Sequence, residues 1–214
     1  MGGVDAVERS ARVSQFAIKM NLDPIRRMAG EVAATMSRVD NAQRLAMSGL
    51  KRRALPVARR AIQENYNVKT LALRDARGNA GIRVETGGRG RKSDYLAIWA
   101  STRSIPLIAF SGKWGGVKTP GATASIEQGA GAKTYEGAFI STVEGLRSIR
   151  KRRLGVGSKR VPRGPLIMLR GPSPFDMMAP QGNHPAALRT QRTIIAELTD
   201  WYVAELKRQI ARGQ

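Results

Sequence analysis

Apolar side chains recur at helical spacing near the N-terminal end of the chain. Asp23-Pro24 begins this stretch, and an acid followed by proline is a start signal for a helix. The apolar positions that follow lie three or four residues apart, as on one face of an α-helix. They are Ile25, Met28, Val32, Met36 and Val39. The pattern predicts a helix that begins at Pro24, preceded by an arm or short helix over residues 1–22.

A second helix is predicted after Asp40-Asn41, either of which can serve as its N-cap. We expect Pro56 to kink or restart this helix, because proline lacks an amide hydrogen and clashes with the preceding turn. One face of the helix is apolar, and the opposite face is basic. The basic positions are Arg44, Lys51, Arg52, Arg53, Arg59 and Arg60. This face fits a solvated surface as well as a contact with phosphates or a partner.

The longest amphipathic pattern lies at the C-terminal end, from Pro185 to near Gly213, and predicts one long helix. Its apolar positions are Leu188, Ile194, Ile195, Leu198, Trp201, Tyr202, Leu206 and Ile210. Trp201 and Tyr202 lie on this apolar stripe. We therefore expect them to pack in the core or at a subunit interface and not to stack on nucleic-acid bases.

The middle of the chain has the alternation and turn residues of short strands. Strands are predicted over residues 82–85, 105–110 and 122–128, and residues 96–100 fit either a strand or a helix. Asn67 is expected to cap a short helix over residues 68–76, and residues 176–185 read as irregular. Glycine-rich loops are predicted over residues 86–92 and 111–121.

Helices, then an antiparallel sheet of about four to six strands, then a helix, predict an α+β fold. The expected architecture has N-terminal helices, a central antiparallel sheet with long basic and Gly-rich loops, and a C-terminal amphipathic helix. We find no internal repeat and no linker, so residues 23–214 are expected to form a single α+β domain.

A long hairpin is predicted between the apolar runs Ala138-Phe139-Ile140 and residues 165–169. The segment between these runs is expected to be a loop that carries concentrated positive charge. Its candidate contact residues for DNA or a partner are Arg147, Arg150, Lys151, Arg152, Arg153, Lys159, Arg160 and Arg163. We expect this loop to project toward a polyanionic surface, because so many crowded cations repel one another.

The composition of the chain favours some classes of function and argues against others. The chain carries a formal net charge of +21, so nucleic acid or acidic protein partners are expected to compensate it. It has no cysteine and one histidine, His184, which argues against a metal site or a thiol nucleophile. Its carboxylates form no acid–base pair in the sequence pattern. No apolar run is long enough to span a bilayer. We therefore expect no enzyme activity, no cofactor, no membrane contact and no small-molecule substrate.

Three short motifs occur in order along the chain. They are Ile105-Pro106-Leu107-Ile108, then Gly137-Ala138-Phe139-Ile140, then Leu166-Ile167-Met168-Leu169-Arg170-Gly171-Pro172-Ser173, with the basic segment before the third. In these motifs and their spacing the chain resembles the prophage minor tail protein Z family, tail-completion components in the necks of long-tailed bacteriophages. The resemblance covers the order of elements over residues 25–205.

The resemblance implies a structural virion protein that completes the head-proximal end of the tail and helps join head to tail. It implies a homo-oligomeric ring, with a hexamer favoured, found in the virion and in the host cytoplasm during assembly. The implied partners are the tail tube, terminator, connector and tape measure proteins, together with the end of the genomic DNA. Apart from the resemblance, the charge is also compatible with a free-standing basic RNA- or DNA-binding protein.

Overall fold

The computed structural model describes residues 36–74, 81–87, 95–116, 121–143, 145–152, 165–179 and 184–212. The helices are α1 (Met36–Asn65), α2 (Pro174–Met178) and α3 (Pro185–Arg212), with 3₁₀ turns at Thr70–Leu73 and Leu107–Ala109. The strands are β1 (Ile82–Gly87), β2 (Tyr95–Ala100), β3 (Lys113–Trp114), β4 (Gly121–Ala124), β5 (Lys133–Glu136), β6 (Ala138–Val143), β7 (Leu146–Arg152) and β8 (Leu166–Met168). The predicted α+β class is confirmed. The arm over residues 1–22 and the helix start at Pro24 lie outside the described residues.

The helix α1 is continuous through the point where a second helix was expected to begin. Asp40 and Asn41 lie inside it and do not cap a new helix, so that prediction was wrong. Pro56 also lies inside α1. Its side chain is exposed, so the carbonyl that loses its helical hydrogen bond can be hydrated. Small and aliphatic side chains such as Ala46, Leu50 and Ala58 are fully buried along the opposite face.

The helix α3 runs along α1 and has the bounds that its amphipathic pattern predicts. The two helices are antiparallel, because Arg60 pairs with Glu197 at one end while Gly49 meets Trp201 further along. Its buried positions are Ala186, Ala187, Thr190, Ile194, Leu198, Tyr202 and Leu206. Each fully buried large apolar side chain contributes about 1.5–3 kcal/mol, so this helix pair forms a major part of the core.

The described strands form three small antiparallel sheets and not one sheet of four to six strands. Their strand orders are β1-β2, β3-β4-β5 and β6-β7-β8. Gly137 separates β5 from β6 with a φ of 68°, a left-handed conformation that glycine adopts without strain. The chain can therefore leave one sheet and enter the next within a single residue.

The predicted strand over residues 105–110 is instead an extended bridge followed by a 3₁₀ turn. Pro106 forms an isolated antiparallel bridge with Arg170, and the Leu107 amide donates to the Leu169 carbonyl at 3.0 Å. Proline cannot donate to a ladder, which limits strand extension here. Leu107 and Phe110 then turn into the core, where they are 1% and 0% exposed.

Two further local predictions were wrong, the first because of a tertiary contact and the second because of a local capping motif. Asn67 caps no helix: its side-chain amide donates to Ser125 Oγ at 2.9 Å and to the Glu127 carbonyl at 2.8 Å, which ties the end of α1 to the β4–β5 connection. The segment 176–185 was expected to be irregular, but its first residues belong to α2. Ser173 and Asp176 form a capping box there, with the Asp176 amide donating to Ser173 Oγ at 3.1 Å.

The predicted long basic hairpin is the main correction. Most of its expected loop is strand: β6 turns at Gly145, which has a φ of 75°, directly into β7, and β8 pairs with the other edge of β7. Arg147, Arg150, Lys151 and Arg152 therefore lie on a central strand, not in a loop. The reason is that Ser148 and Ile149 are 1% and 0% exposed, so this segment is held by burial and by pairing on both sides. The other loop cations, Arg153, Lys159, Arg160 and Arg163, lie outside the described residues.

Candidate interaction surface

Tertiary structure brings the three sequence motifs into one unit. Residues 137–140 lead into and form β6, which pairs with β7. Residues 166–168 form β8 on the other edge of β7, and the Leu169 amide donates to the Ile149 carbonyl at 2.9 Å. Beyond β8, the Gly171 amide donates to the Ile105 carbonyl at 2.8 Å. The motif around Ala138 and residues 166–168 of the third motif thus share one sheet, and the motif around Ile105 is bridged to the segment that follows β8.

Gly171, Pro172 and Ser173 have structural roles at the end of this unit. A Cβ on Gly171 would lie 2.6 Å from Cε2 of Phe110, which is fully buried. The Pro172 carbonyl accepts from the Ile105 amide at 3.4 Å, and Ser173 caps α2. Gly171 and Pro172 therefore hold the 105–110 segment beside the chain that follows β8, and Ser173 begins α2.

The cations of β7 divide between the two faces of its sheet. Side chains alternate along a strand, so Arg150 and Arg152 share the face of Ser148, while Arg147 and Lys151 share the face of Ile149. Arg150 is half-buried and its Nε donates to Ser148 Oγ at 2.8 Å. The structure therefore does not gather the four described cations on a single surface.

Apolar neighbours flank Arg150 and Arg152. Arg150 is paired with Phe139 on β6 and Met168 on β8, and Arg152 is paired with Leu166. Leu166 is 40% exposed. The stems of the two arginines can cover such apolar surface while their guanidinium groups reach outward. This face combines apolar area with positive charge, which suits contact with another protein or with a polyanion.

A second surface lies between α1 and α3, where the two helices enclose an open groove of about 810 Å³. Its lining consists of Leu45, Gly49, Arg52, Arg53, Pro56, Val57, Arg60, Trp201, Glu205, Arg208 and Gln209. Four of these residues are arginines and one is a carboxylate. The groove therefore has an apolar floor and a positively charged rim.

Trp201 and Tyr202 have different environments in spite of being adjacent. Tyr202 is 1% exposed and belongs to the core, as predicted. Trp201 is half-buried in the groove, with the Arg53 guanidinium carbon 5.7 Å from its ring centroid, a cation–π geometry. Gly49 leaves room for the ring, because a Cβ there would lie 2.5 Å from Trp201 Cη2.

Part of the charge around the groove is neutralised within the helix pair. Arg60 bonds Glu197 across the helices and lies 3.6 Å from Glu64. Arg208 donates to Glu205 at 2.6 Å, and Gln209 donates to the same carboxylate. The hydrogen bond from Arg208 is the main cause that lowers the pKa of Glu205, and the bond from Gln209 is the second. The same bond to Glu205 raises the pKa of Arg208. Among the described residues no ion pair is recorded for Arg52 or Arg53, which remain on the rim.

The sequence indicated the basic face of α1 but not this groove. Arg52, Arg53 and Arg60 were recognised as cations on one helix, and Trp201 as an apolar residue on another. The signal that connects them is Gly49, a glycine in the middle of a long helix, where it costs about 1 kcal/mol relative to alanine. A glycine in the middle of a helix is typical of a site where another group packs closely against the helix backbone.

His184 lies beside Glu127, with its Nε2 atom 3.3 Å from a carboxylate oxygen of that residue. Within the described ranges there is no group of three or more His, Asp and Glu side chains arranged to hold a metal ion. In the same part of the chain no helix is long and apolar enough to cross a membrane.

Comparison with protein-family models, with curated proteins and with solved structures finds no match for this chain.

Proposed function

We propose that this protein is a structural component of the neck or tail of a long-tailed bacteriophage. In this role it completes the head-proximal end of the tail and helps join the tail to the head, as a homo-oligomeric ring. The observation that carries the proposal is the packing of the three motifs on which the resemblance rests. These motifs meet at β6, β7 and β8 and at the bridge of Pro106 with Arg170, two residues that are 64 positions apart in the sequence.

The charge supports the same role. A chain with a net charge of +21 repels its own copies in a ring unless polyanions or acidic neighbours compensate it. The end of the genomic DNA and acidic faces of the tube, terminator, connector or tape measure proteins are the partners that such a position offers. Duplex DNA carries one charge per roughly 1.7 Å of its axis, so cationic side chains that meet it gain from counterion release.

The proposed role requires binding and no covalent chemistry. Three carboxylates in the described part of the chain have structural partners. Asp176 belongs to the capping box of α2, Glu205 bonds Arg208 and Glu127 faces His184. Such groups are occupied in holding elements together, which agrees with a protein that acts by assembly.

The proposal is tested by neutralising the two faces of β7 separately in a phage that carries this protein. The first variant is Arg150→Gln with Arg152→Gln, and the matched control is Arg147→Gln with Lys151→Gln, an equal loss of charge from the same strand. We expect the first variant to lower the yield of joined particles, because its cations share their face with Leu146 and Leu166, which are 61% and 40% exposed, whereas the control face has Ile167, at 45%, beside Lys151. Circular dichroism of each purified variant checks the fold.

Equal, normal yields from both variants would show that the cations of β7 are solvated and make no functional contact. The native mass and the 260/280 nm absorbance ratio of the purified protein distinguish the alternative function. A discrete ring without nucleic acid supports a neck component. A monomer that carries RNA supports a free-standing nucleic-acid-binding protein, which the charge also permits.

A further inference from the structure

We propose that the groove between α1 and α3 is a docking site for an acidic amphipathic helix of another protein. The groove has an apolar floor, formed by Leu45, Pro56, Val57 and Trp201, and Leu45 is 49% exposed. Its rim is cationic. An occupant that fits both parts has apolar side chains on one face and carboxylates beside them. This inference concerns a different surface from β7 and does not depend on the protein being a phage component.

The dimensions of the groove suit a helix. On α1 the lining residues run from Leu45 to Arg60, a span of sixteen residues and fifteen helical steps. At a rise of about 1.5 Å per residue this is roughly 22 Å, or four turns. A helix laid into the groove makes a three-helix arrangement, in which its apolar face meets the ridges of α1 and α3. Trp201 supplies the large, partly exposed aromatic surface that commonly anchors such an interface.

The charge of the rim selects an acidic partner. Of the four arginines that line the groove, Arg60 is already paired with Glu197 and Arg208 with Glu205. Arg52 and Arg53 therefore supply most of the remaining positive charge of the rim. Arg52 and Arg53 project from consecutive positions of α1, and guanidinium groups bind carboxylates in bidentate geometry. An acidic helix with carboxylates along its edge therefore gains ion pairs in a partly desolvated setting.

Other occupants fit the groove less well. A second copy of the chain brings the same excess of cations, since its net charge is +21. Residues 1–35 of the chain carry five basic and four acidic side chains, so they do not complement a basic rim. Duplex DNA would meet the arginines but would leave the apolar floor uncovered. The second copy and duplex DNA are distinct outcomes of the experiment below.

The experiment measures binding of a fluorescent helical peptide of 21 residues, with leucine at helical spacing on one face and glutamate on the others. The protein variants are Arg52→Glu with Arg53→Glu in the groove and Arg44→Glu with Lys51→Glu as the control. The control residues lie on the same helix, are exposed and do not line the groove. Both variants change the net charge by the same amount, and thermal melts confirm that both are folded.

We expect the groove variant to lose at least about tenfold in affinity, equivalent to about 1.4 kcal/mol, and the control to lose less than about threefold. A peptide of the same composition in scrambled order should bind the wild-type protein as weakly as the original peptide binds the groove variant. Equal losses in both variants, or equal binding of the scrambled peptide, would reduce the effect to general charge attraction and overturn the proposal. So would displacement of the peptide by duplex DNA at stoichiometric amounts, or self-association of the protein through this face that excludes the peptide.

Discussion

At the scale of single residues, small side chains decide how closely segments approach. Gly171 lies against the buried ring of Phe110, and Gly49 lies against Trp201. The two contacts differ in how far the neighbour can move, since Phe110 is fully buried while Trp201 is half-buried. The close approach at Gly171 also allows its amide to bond the Ile105 carbonyl. Gly171 is therefore a packing position of the motif unit.

We predict that Gly171→Ala lowers the free energy of unfolding by about 1–3 kcal/mol, the usual cost of inserting a methyl group into a packed core. The measurement is urea-induced unfolding followed by circular dichroism. Gly131→Ala is the control, because Gly131 has a negative or extended φ and no atom within 4 Å of its added Cβ, so it should stay within about 0.5 kcal/mol of wild type. Equal stabilities of the two variants would contradict the packing role of Gly171.

At the scale of elements, the end of α1 is joined to the connection between β4 and β5. Tyr66 forms an isolated bridge with Glu127, and the Asn67 amide donates to the Ile126 carbonyl at 2.8 Å. Tyr66 is 3% exposed. Burial first, and the nearby Glu127 carboxylate second, raise the pKa of Tyr66 to about 12. The junction therefore favours the neutral phenol.

The raised pKa predicts a loss of stability in alkali. Below the ordinary tyrosine pKa of 10.0 the contribution of the neutral phenol is fully present, and it is lost as the pH rises through about 12. In the wild type the free energy of unfolding should therefore fall between pH 10.0 and about 12. We expect this fall to be smaller in Tyr66→Phe, by up to about 2 kcal/mol. Tyr95→Phe is the control, because Tyr95 is 44% exposed on β2. The same pH dependence in wild type and in Tyr66→Phe would show that the phenol is not confined at this junction.

At the scale of the whole molecule, the excess of positive charge opposes folding. The chain has 37 lysines and arginines against 16 aspartates and glutamates. Several acids in the described part are taken up locally, as in the pairs of Arg60 with Glu197 and of Arg208 with Glu205. Most of the remaining cations have no acid to offset them. Repulsion between these cations is therefore stronger in the compact folded state than in the expanded unfolded chain.

We predict that salt stabilises this protein. The Debye length falls from about 30 Å at 0.01 M to about 8 Å at 0.15 M, so repulsion across the surface is screened. The midpoint of urea unfolding should rise between these salt concentrations. The variant Arg44→Glu with Lys51→Glu lowers the net charge by four and should show a smaller rise. A midpoint that falls with salt would indicate that attractive ion pairs outweigh the net repulsion.

Sequence patterns determined the features whose signal is local. The α+β class, the bounds of α3 and the place of Tyr202 on the apolar face of α3 all follow from helical or alternating spacing. The motifs carried the resemblance, and the net charge carried the expectation of acidic or polyanionic partners. These features need no knowledge of which segments meet in space.

Tertiary structure alone decided where the cations lie and which segments pair. The segment 146–152 is polar and basic by composition, yet it is a central strand because Ile149 pairs opposite Ile140 and Ser148 opposite Ser141. Likewise, residues 105–110 turn into the core because their partner is the Leu169–Pro172 segment, and Trp201 borders a cationic groove because Gly49 lies across from it. In each case the determining contact comes from a distant part of the chain, and burial and hydrogen bonding to that partner outweigh the local preference of the segment.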